Sequence, residues 1–129
     1  MNLGQNINQV DKWFAKRLGL FLVVSSLSSI SLAAEKVVRC QIDSNGNPSF
    51  SGKCLFIPDQ GGSFSLGNTN KSKPIIKGVT VISVSILEKD EADVRGLTID
   101  GINSRWGEAH RSVTDKACWV GTDFKVCAW

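Results

Sequence analysis

The last thirteen residues, Ala117 to Trp129, read ACWVGTDFKVCAW and constrain the fold more than any other stretch. Two cysteines, two tryptophans and two valines flank a Gly-Thr-Asp turn signal. A two-residue loop at Thr122 and Asp123 pairs Gly121 with Phe124, Val120 with Lys125, Trp119 with Val126, and Cys118 with Cys127. Every second pair counted out from such a loop is a non-hydrogen-bonded one, whose Cα atoms lie close enough for a cross-strand disulfide. The cysteines fall on that kind of pair. Trp119 and Val126 then share the opposite face, a contact that stabilises a sheet by burial.

The other end of the chain reads as an export signal. Met1 to Arg17 is polar and closes on the basic residues Lys12, Lys16 and Arg17. Leu18 to Leu32 (LGLFLVVSSLSSISL) carries no charge, and Ser31-Leu32-Ala33 has the spacing of a signal-peptidase site. A retained anchor is the alternative, but 15 residues with five serines fall short of the roughly 20 apolar residues of a spanning helix. The expected division is residues 1–33 as signal peptide and residues 34–129 as one small β domain. That domain has 96 of the 129 residues, enough for a modest core that cross-links would reinforce. Removing Lys12, Lys16, Arg17 and Asp11 from the 15 basic and 12 acidic residues leaves 12 and 11, a net of +1. Such a balance argues against a partner held by charge alone, and no nucleic-acid partner is expected. The membrane enters only through the export signal.

Strand signals follow one another along the domain. Val37 to Asp43 reads as a strand, and Asn45-Gly46 is a hairpin signal that returns the chain through Pro48 to Gly52. This register sets Phe50 opposite Gln41 and Cys40 opposite Ser51, with a bend at Gly52-Lys53 to bring Cys54 back. Pro48 places the hairpin at an edge. Lys53 to Ile57, Ser63 to Leu66, and Ile75 to Leu87 continue the pattern. In the last of these, Ile82, Val84 and Ile86 alternate with Ser83 and Ser85, the period of a half-buried strand. Glu88 to Asp93 reads as a charged turn, Asp93 to Ile99 as a strand, and Arg105 to Asp115 as the least regular piece, with room for a helical turn. Six to eight short strands with turns every 8–12 residues predict an all-β domain. The expected class is a small disulfide-stapled antiparallel sandwich or barrel, preceded by a signal-peptide helix.

Four cysteines allow three pairings, of which the local one, Cys40–Cys54 with Cys118–Cys127, is expected. The first bridge closes a loop of about 15 residues, worth roughly 3 kcal/mol by chain entropy. The spacings lack the short Cys-x-x-Cys knuckle of a zinc site, so no metal ligand is assigned.

The inventory for catalysis is thin. His110 is the single histidine, in GEAHRS. No nucleophile elbow, phosphate loop or dinucleotide fingerprint occurs, and neither a cofactor nor a catalytic residue is assigned. The acids Glu88, Asp90, Glu91 and Asp93 lack the spacing and central glycine of a calcium loop, and read as a solvated turn. Among the aromatics, Trp106 and Trp129 are expected to be the most exposed, and exposed tryptophan marks contacts with proteins or sugars. Arg105, Trp106, His110, Arg111 and Trp129 are therefore the candidate binding residues, with loops Gly67–Pro74 and Ser104–Asp115 as the surfaces that carry contacts.

Gly52–Phe56 (GKCLF), Gly61–Phe64 (GGSF) and the closing ACWV…VCAW together resemble a group of small uncharacterised exported bacterial proteins. The likeness spans most of residues 38 to 129, and its specific part is the C-terminal motif, preceded by a stretch like GEAHRS. It implies a Gram-negative envelope location and intact disulfides, and carries no activity with it. The expected function is an exported non-enzymatic binding module, such as an inhibitor or immunity-type protein of the envelope, periplasmic or secreted. Its expected partner is a protein, with a glycan as the other ligand class. The alternatives are a small cell-wall-directed hydrolase using His110 with Glu108 or Asp115, and a structural envelope protein without a discrete site.

Overall fold

The computed structural model describes residues 34–45 and 47–129. The expected signal peptide and its helix, residues 1–33, lie outside the described residues. Eight strands follow in order: β1 (Lys36–Ser44), β2 (Asn47–Pro58), β3 (Phe64–Gly67), β4 (Val79–Glu88), β5 (Glu91–Thr98), β6 (Asn103–Arg111), β7 (Cys118–Val120) and β8 (Phe124–Ala128). Each pairs antiparallel with the next, and β8 pairs with β1, so the meander closes into a barrel. Of the two expected all-β architectures, the barrel is the one formed. Closure removes the sheet edges that an open sheet would expose.

Alternation fixes which side chains fill the lumen. Ile42, Cys40, Cys54, Leu66, Ile82, Val84, Ala92, Val94, Ala109, Trp119 and Val126 are all buried within one apolar cluster. Their strand neighbours Asp43, Ser83, Asp93, Arg95 and Lys125 are half-buried, on the opposite face. An eight-stranded barrel is just wide enough for side chains to fill it, and here Trp119 and Phe64 supply the bulk.

The closing hairpin has the register its sequence predicts. Cys118 pairs with Cys127, Trp119 with Val126 and Val120 with Lys125, while Gly121 N–H donates to Phe124 O at 2.8 Å. The Cys118–Cys127 disulfide spans a Cα separation of 4.0 Å. Cys40 and Cys54 are bridged as well, at 5.8 Å.

The first hairpin departs from expectation in one instructive way. Near the turn, Ser44 faces Asn47 and Asp43 faces Pro48, as Asn-Gly predicts. A bulge between Ile42 and Asp43 then shifts the register by one residue, so Phe50 faces Ile42 and Cys40 faces Gly52 rather than Ser51. Cys54 thereby lies on the same face as Cys40, two residues along, and β2 runs on to Pro58 without the expected bend. Gly52 opposite Cys40 holds φ at +147°, a backbone conformation that favours glycine. The hairpin is not an edge, because β1 has ladders on both sides. Pro48 is accommodated because β3 pairs only with Leu55–Pro58, leaving the start of β2 with one partner.

Two further corrections concern the charged and irregular pieces. The turn expected over Glu88 to Asp93 is only Lys89-Asp90, with Asp90 at φ +60°, and Glu91 and Asp93 belong to β5. The stretch from Arg105, expected to be irregular with a helical turn, is mostly strand β6. Gly107, at φ +130°, sits beside a register shift and absorbs it, so the strand carries on and buries Ala109.

The two ends of the barrel are closed differently. At one end the loop between β3 and β4 returns over Ile75, which is 3% exposed, and turns at Gly78 with φ +81°. At the other, Arg111 lies 4.3 Å from the Trp119 ring centroid, and its guanidinium donates to Asp90 Oδ1 (3.1 Å) and Lys116 O (2.8 Å). Cation–π contact and two hydrogen bonds hold the group over the core.

Candidate functional site

The barrel wall is incomplete along β6. Its ladder with β7 has only two pairs, His110 with Val120 and Arg111 with Trp119. Among the described residues, Asn103 to Ala109 therefore has no ladder partner on the β7 side. The turn between β7 and β8 sits against this gap, anchored where Asn45 N–H donates to Asp123 O at 2.6 Å. The Phe124 ring, 6% exposed, fills the gap from inside, lying against Gly107 and Gly121.

Two clefts flank the unpaired length of β6. The larger, about 540 Å³, is lined by Glu108, His110, Arg111, Val113, Val120 and Thr122 among others. The smaller, about 230 Å³, lies toward the opposite end and is lined by Ser44, Asn45, Arg105, Trp106, Asp123 and Phe124. The larger cleft mixes exposed charge with exposed apolar surface, since Val113 is 99% and Val120 39% exposed.

The structure gathers four of the five candidate residues on this one strand. Arg105 donates through Nε to Asp93 Oδ1 at 2.7 Å, and His110 Nδ1 stands 3.7 Å from Glu91 Oε1. Arg111 faces the cleft with one flank while the rest of its guanidinium is committed to Trp119, Asp90 and Lys116. Trp106 differs from the expected exposed residue. It is half-buried, packs edge-on against Phe124 at 5.7 Å, and occupies the space that a side chain on Gly96 would take, with its Nε1 2.9 Å from that Cβ position. The bulge between β5 and β6 explains this, since Val94 faces Gly107 while Arg95 faces Arg105, and Trp106 is the extra residue turned inward.

Trp129 lies elsewhere. It is 47% exposed, with Arg39 over its ring at 5.5 Å and its Nε1 donating to Asp115 Oδ2 at 2.9 Å. Asp115 is further occupied as acceptor from Ala117 N–H at 3.0 Å. The carboxylate nearest His110 by ion-pair geometry is Glu91, not Asp115.

Glu91 is a site residue that the sequence reading passed over as part of a solvated turn. Its carboxyl is raised above the ordinary range, first by a side-chain hydrogen bond shared with Glu88 and then by the charge of Glu88. Slight desolvation and the charge of Glu108 act in the same direction, and His110 opposes them. The signal was the two-residue loop Lys89-Asp90, which places Glu88 directly across from Glu91.

No protein-family model, curated protein or solved structure matches the chain. The site therefore stands on its own geometry: a rigid wall, an unpaired strand length, and two clefts lined by mixed charge and apolar surface. Among the described residues no group of three or more His, Cys, Asp or Glu side chains is arranged to hold a metal ion. Both clefts lie on the barrel wall, and the lumen is packed.

Proposed function

We propose that this protein is an exported binding module of the bacterial envelope, with an inhibitor or immunity-type role toward a protein partner. The observation that carries the reading is the convergence of exposed His110, Glu108, Val113 and Val120 beside the unpaired length of β6. Strand backbone without a ladder partner offers hydrogen bonds to an incoming segment, and flanking clefts offer side-chain selectivity. A closed barrel with two disulfides lowers the ordering cost of binding. Two disulfides are also compatible with an oxidising compartment outside the cytoplasm, periplasmic or secreted.

The test is capture of a partner by the oxidised protein from the envelope fraction of its producing cells, followed by affinity measurement on the purified pair. Arg105→Ala and His110→Ala, both at exposed positions, are expected to weaken affinity by about tenfold or more each. Unchanged affinity in both variants removes the site. Trp106→Ala is a poor probe, because its loss disturbs packing against Phe124.

A second reading, a small cell-wall-directed hydrolase, draws on the raised carboxyl of Glu91 beside His110. Carboxyl groups with raised pKa serve as general acids. Release of soluble fragments from peptidoglycan, lost in His110→Ala and in Glu91→Gln, supports this reading. No release by the wild-type protein removes it.

A further inference from the structure

We infer that the β5–β6 hairpin is a self-complementary surface that pairs two copies of this chain. Leu97, near the end of β5, and Ile99 and Ile102, in the turn that follows, are 40%, 68% and 63% exposed, all at the tip of this one hairpin. The tip that carries them is held by three bonds: Thr98 N–H to Ile102 O (2.8 Å), Gly101 N–H to Thr98 O (2.9 Å) and Ile102 N–H to Thr98 Oγ1 (3.0 Å). Two isoleucines are thus fixed outward by a turn that does not need them. Exposed apolar side chains gathered in this way mark an association surface.

Charge identifies the occupant. Two residues below Leu97, Arg95 and Arg105 face each other directly across the ladder. Like charges so placed repel, and Asp93 relieves them by accepting from both Nε atoms, at 2.9 and 2.7 Å. The terminal nitrogens of both guanidiniums are left without a protein partner among the described residues, and the trio carries a net +1. At the tip, exposed Asp100 carries −1.

The strip therefore runs from a cationic end, through Leu97, to an apolar tip with an anionic residue. Arg95, in β5, and Asp100, in the turn beyond its end, stand at opposite ends of this strip. A two-fold axis midway sets Asp100 of one copy on the arginine pair of the other, with the apolar residues of both copies face to face between. This is the requirement of an isologous interface, in which the same patch meets itself. Three exposed apolar side chains per copy make a small patch beside the roughly 800 Å² per partner of a stable complex, so the dimer is expected to be a weak one. The inference shares Arg105 with the partner reading above, but its apolar tip and Asp100 belong to this reading alone, and Ile99→Asp and Asp100→Arg test it separately.

Analytical ultracentrifugation of the exported, oxidised protein tests it. Weight-average mass is expected to rise from one chain toward two between about 10 µM and 1 mM. Ile99→Asp, at an exposed tip and with unchanged thermal stability, is expected to remain monomeric over that range. Asp100→Arg is expected to weaken dimerisation at least about tenfold through like-charge contact with the arginines. A wild-type protein that stays monomeric overturns the proposal. So does an Ile99→Asp variant that dimerises normally, or an Asp100→Arg variant with unaltered affinity.

Discussion

The Phe124 ring lies folded against Gly121, in the space that any side chain at that position would need. One residue thus stoppers the barrel where β6 and β7 part, and the turn beside it is glycine because the ring is there. Gly121→Ala is expected to destabilise the protein by about 1–3 kcal/mol, the usual cost of overpacking, as read by denaturant unfolding. Combined with Phe124→Leu, the two costs should not add, because both changes act on one contact.

Arg111 is expected to behave as a structural residue. Arg111→Ala removes the stack on Trp119 and the bonds to Asp90 and Lys116 O, at about 1–3 kcal/mol. Arg111→Lys should recover little, because an ammonium lacks the planar fork. Full stability in the alanine variant would show that the end cap contributes nothing.

The two disulfides should differ in weight. Cys40–Cys54 closes 14 residues of sequence separation against 9 for Cys118–Cys127, and both its sulfurs are inside the barrel. Replacing Cys40 and Cys54 together by alanine is expected to cost about 3 kcal/mol or more, from lost loop closure and an added cavity. Cys118 and Cys127 are buried too, at 4% and 1% exposed, but they stand on the strand face opposite Trp119 and Val126, outside the lumen cluster, and close the shorter loop, so their replacement is expected to cost less. Unfolding curves of the two double variants decide the order.

Glu91 gives a pH signature. A carboxyl whose pKa is higher folded than unfolded contributes stability that is full below the ordinary carboxylate range and lost as pH rises through the raised value. Glu91→Gln keeps a hydrogen-bonding amide beside Glu88 without the charge. Its melting temperature should exceed that of the wild type at neutral pH, and the difference should vanish below about pH 4. Equal melting temperatures at neutral pH would contradict the strained Glu88–Glu91 pair.

Local signals were legible wherever a short turn set the register. ACWVGTDFKVCAW reports its own pairing because its loop is two residues long and its cysteines fall on a close pair. Ser44-Asn45-Gly46-Asn47 does the same, but only as far as the bulge at Ile42, which no local signal announces. The barrel itself was not readable, because closure depends on β8 meeting β1 across most of the domain. Strand β6 was hidden by Gly107, a residue that ordinarily weakens a strand and here absorbs its bulge. Trp106 was misjudged for the same reason: the bulge turns it inward, and Gly96, three strand positions from Asp93, was the sign that something large lay opposite. His110 and Arg105 were found by residue type alone. Their placement on one strand, Arg105 in its unpaired length and His110 paired with Val120 beside it, came only from the fold.

The most direct test of the β6 surface is amide hydrogen exchange of the oxidised protein, alone and saturated with its captured partner. Without the partner, amides of Asn103 to Ala109 that face the β7 side should exchange fast for a strand, having no ladder partner there. Saturation should slow exchange across Asn103 to Val113, with Gly67 to Pro74 unchanged. Protection confined to Gly67–Pro74, or absent from β6, would contradict the assignment of this strand as the binding surface.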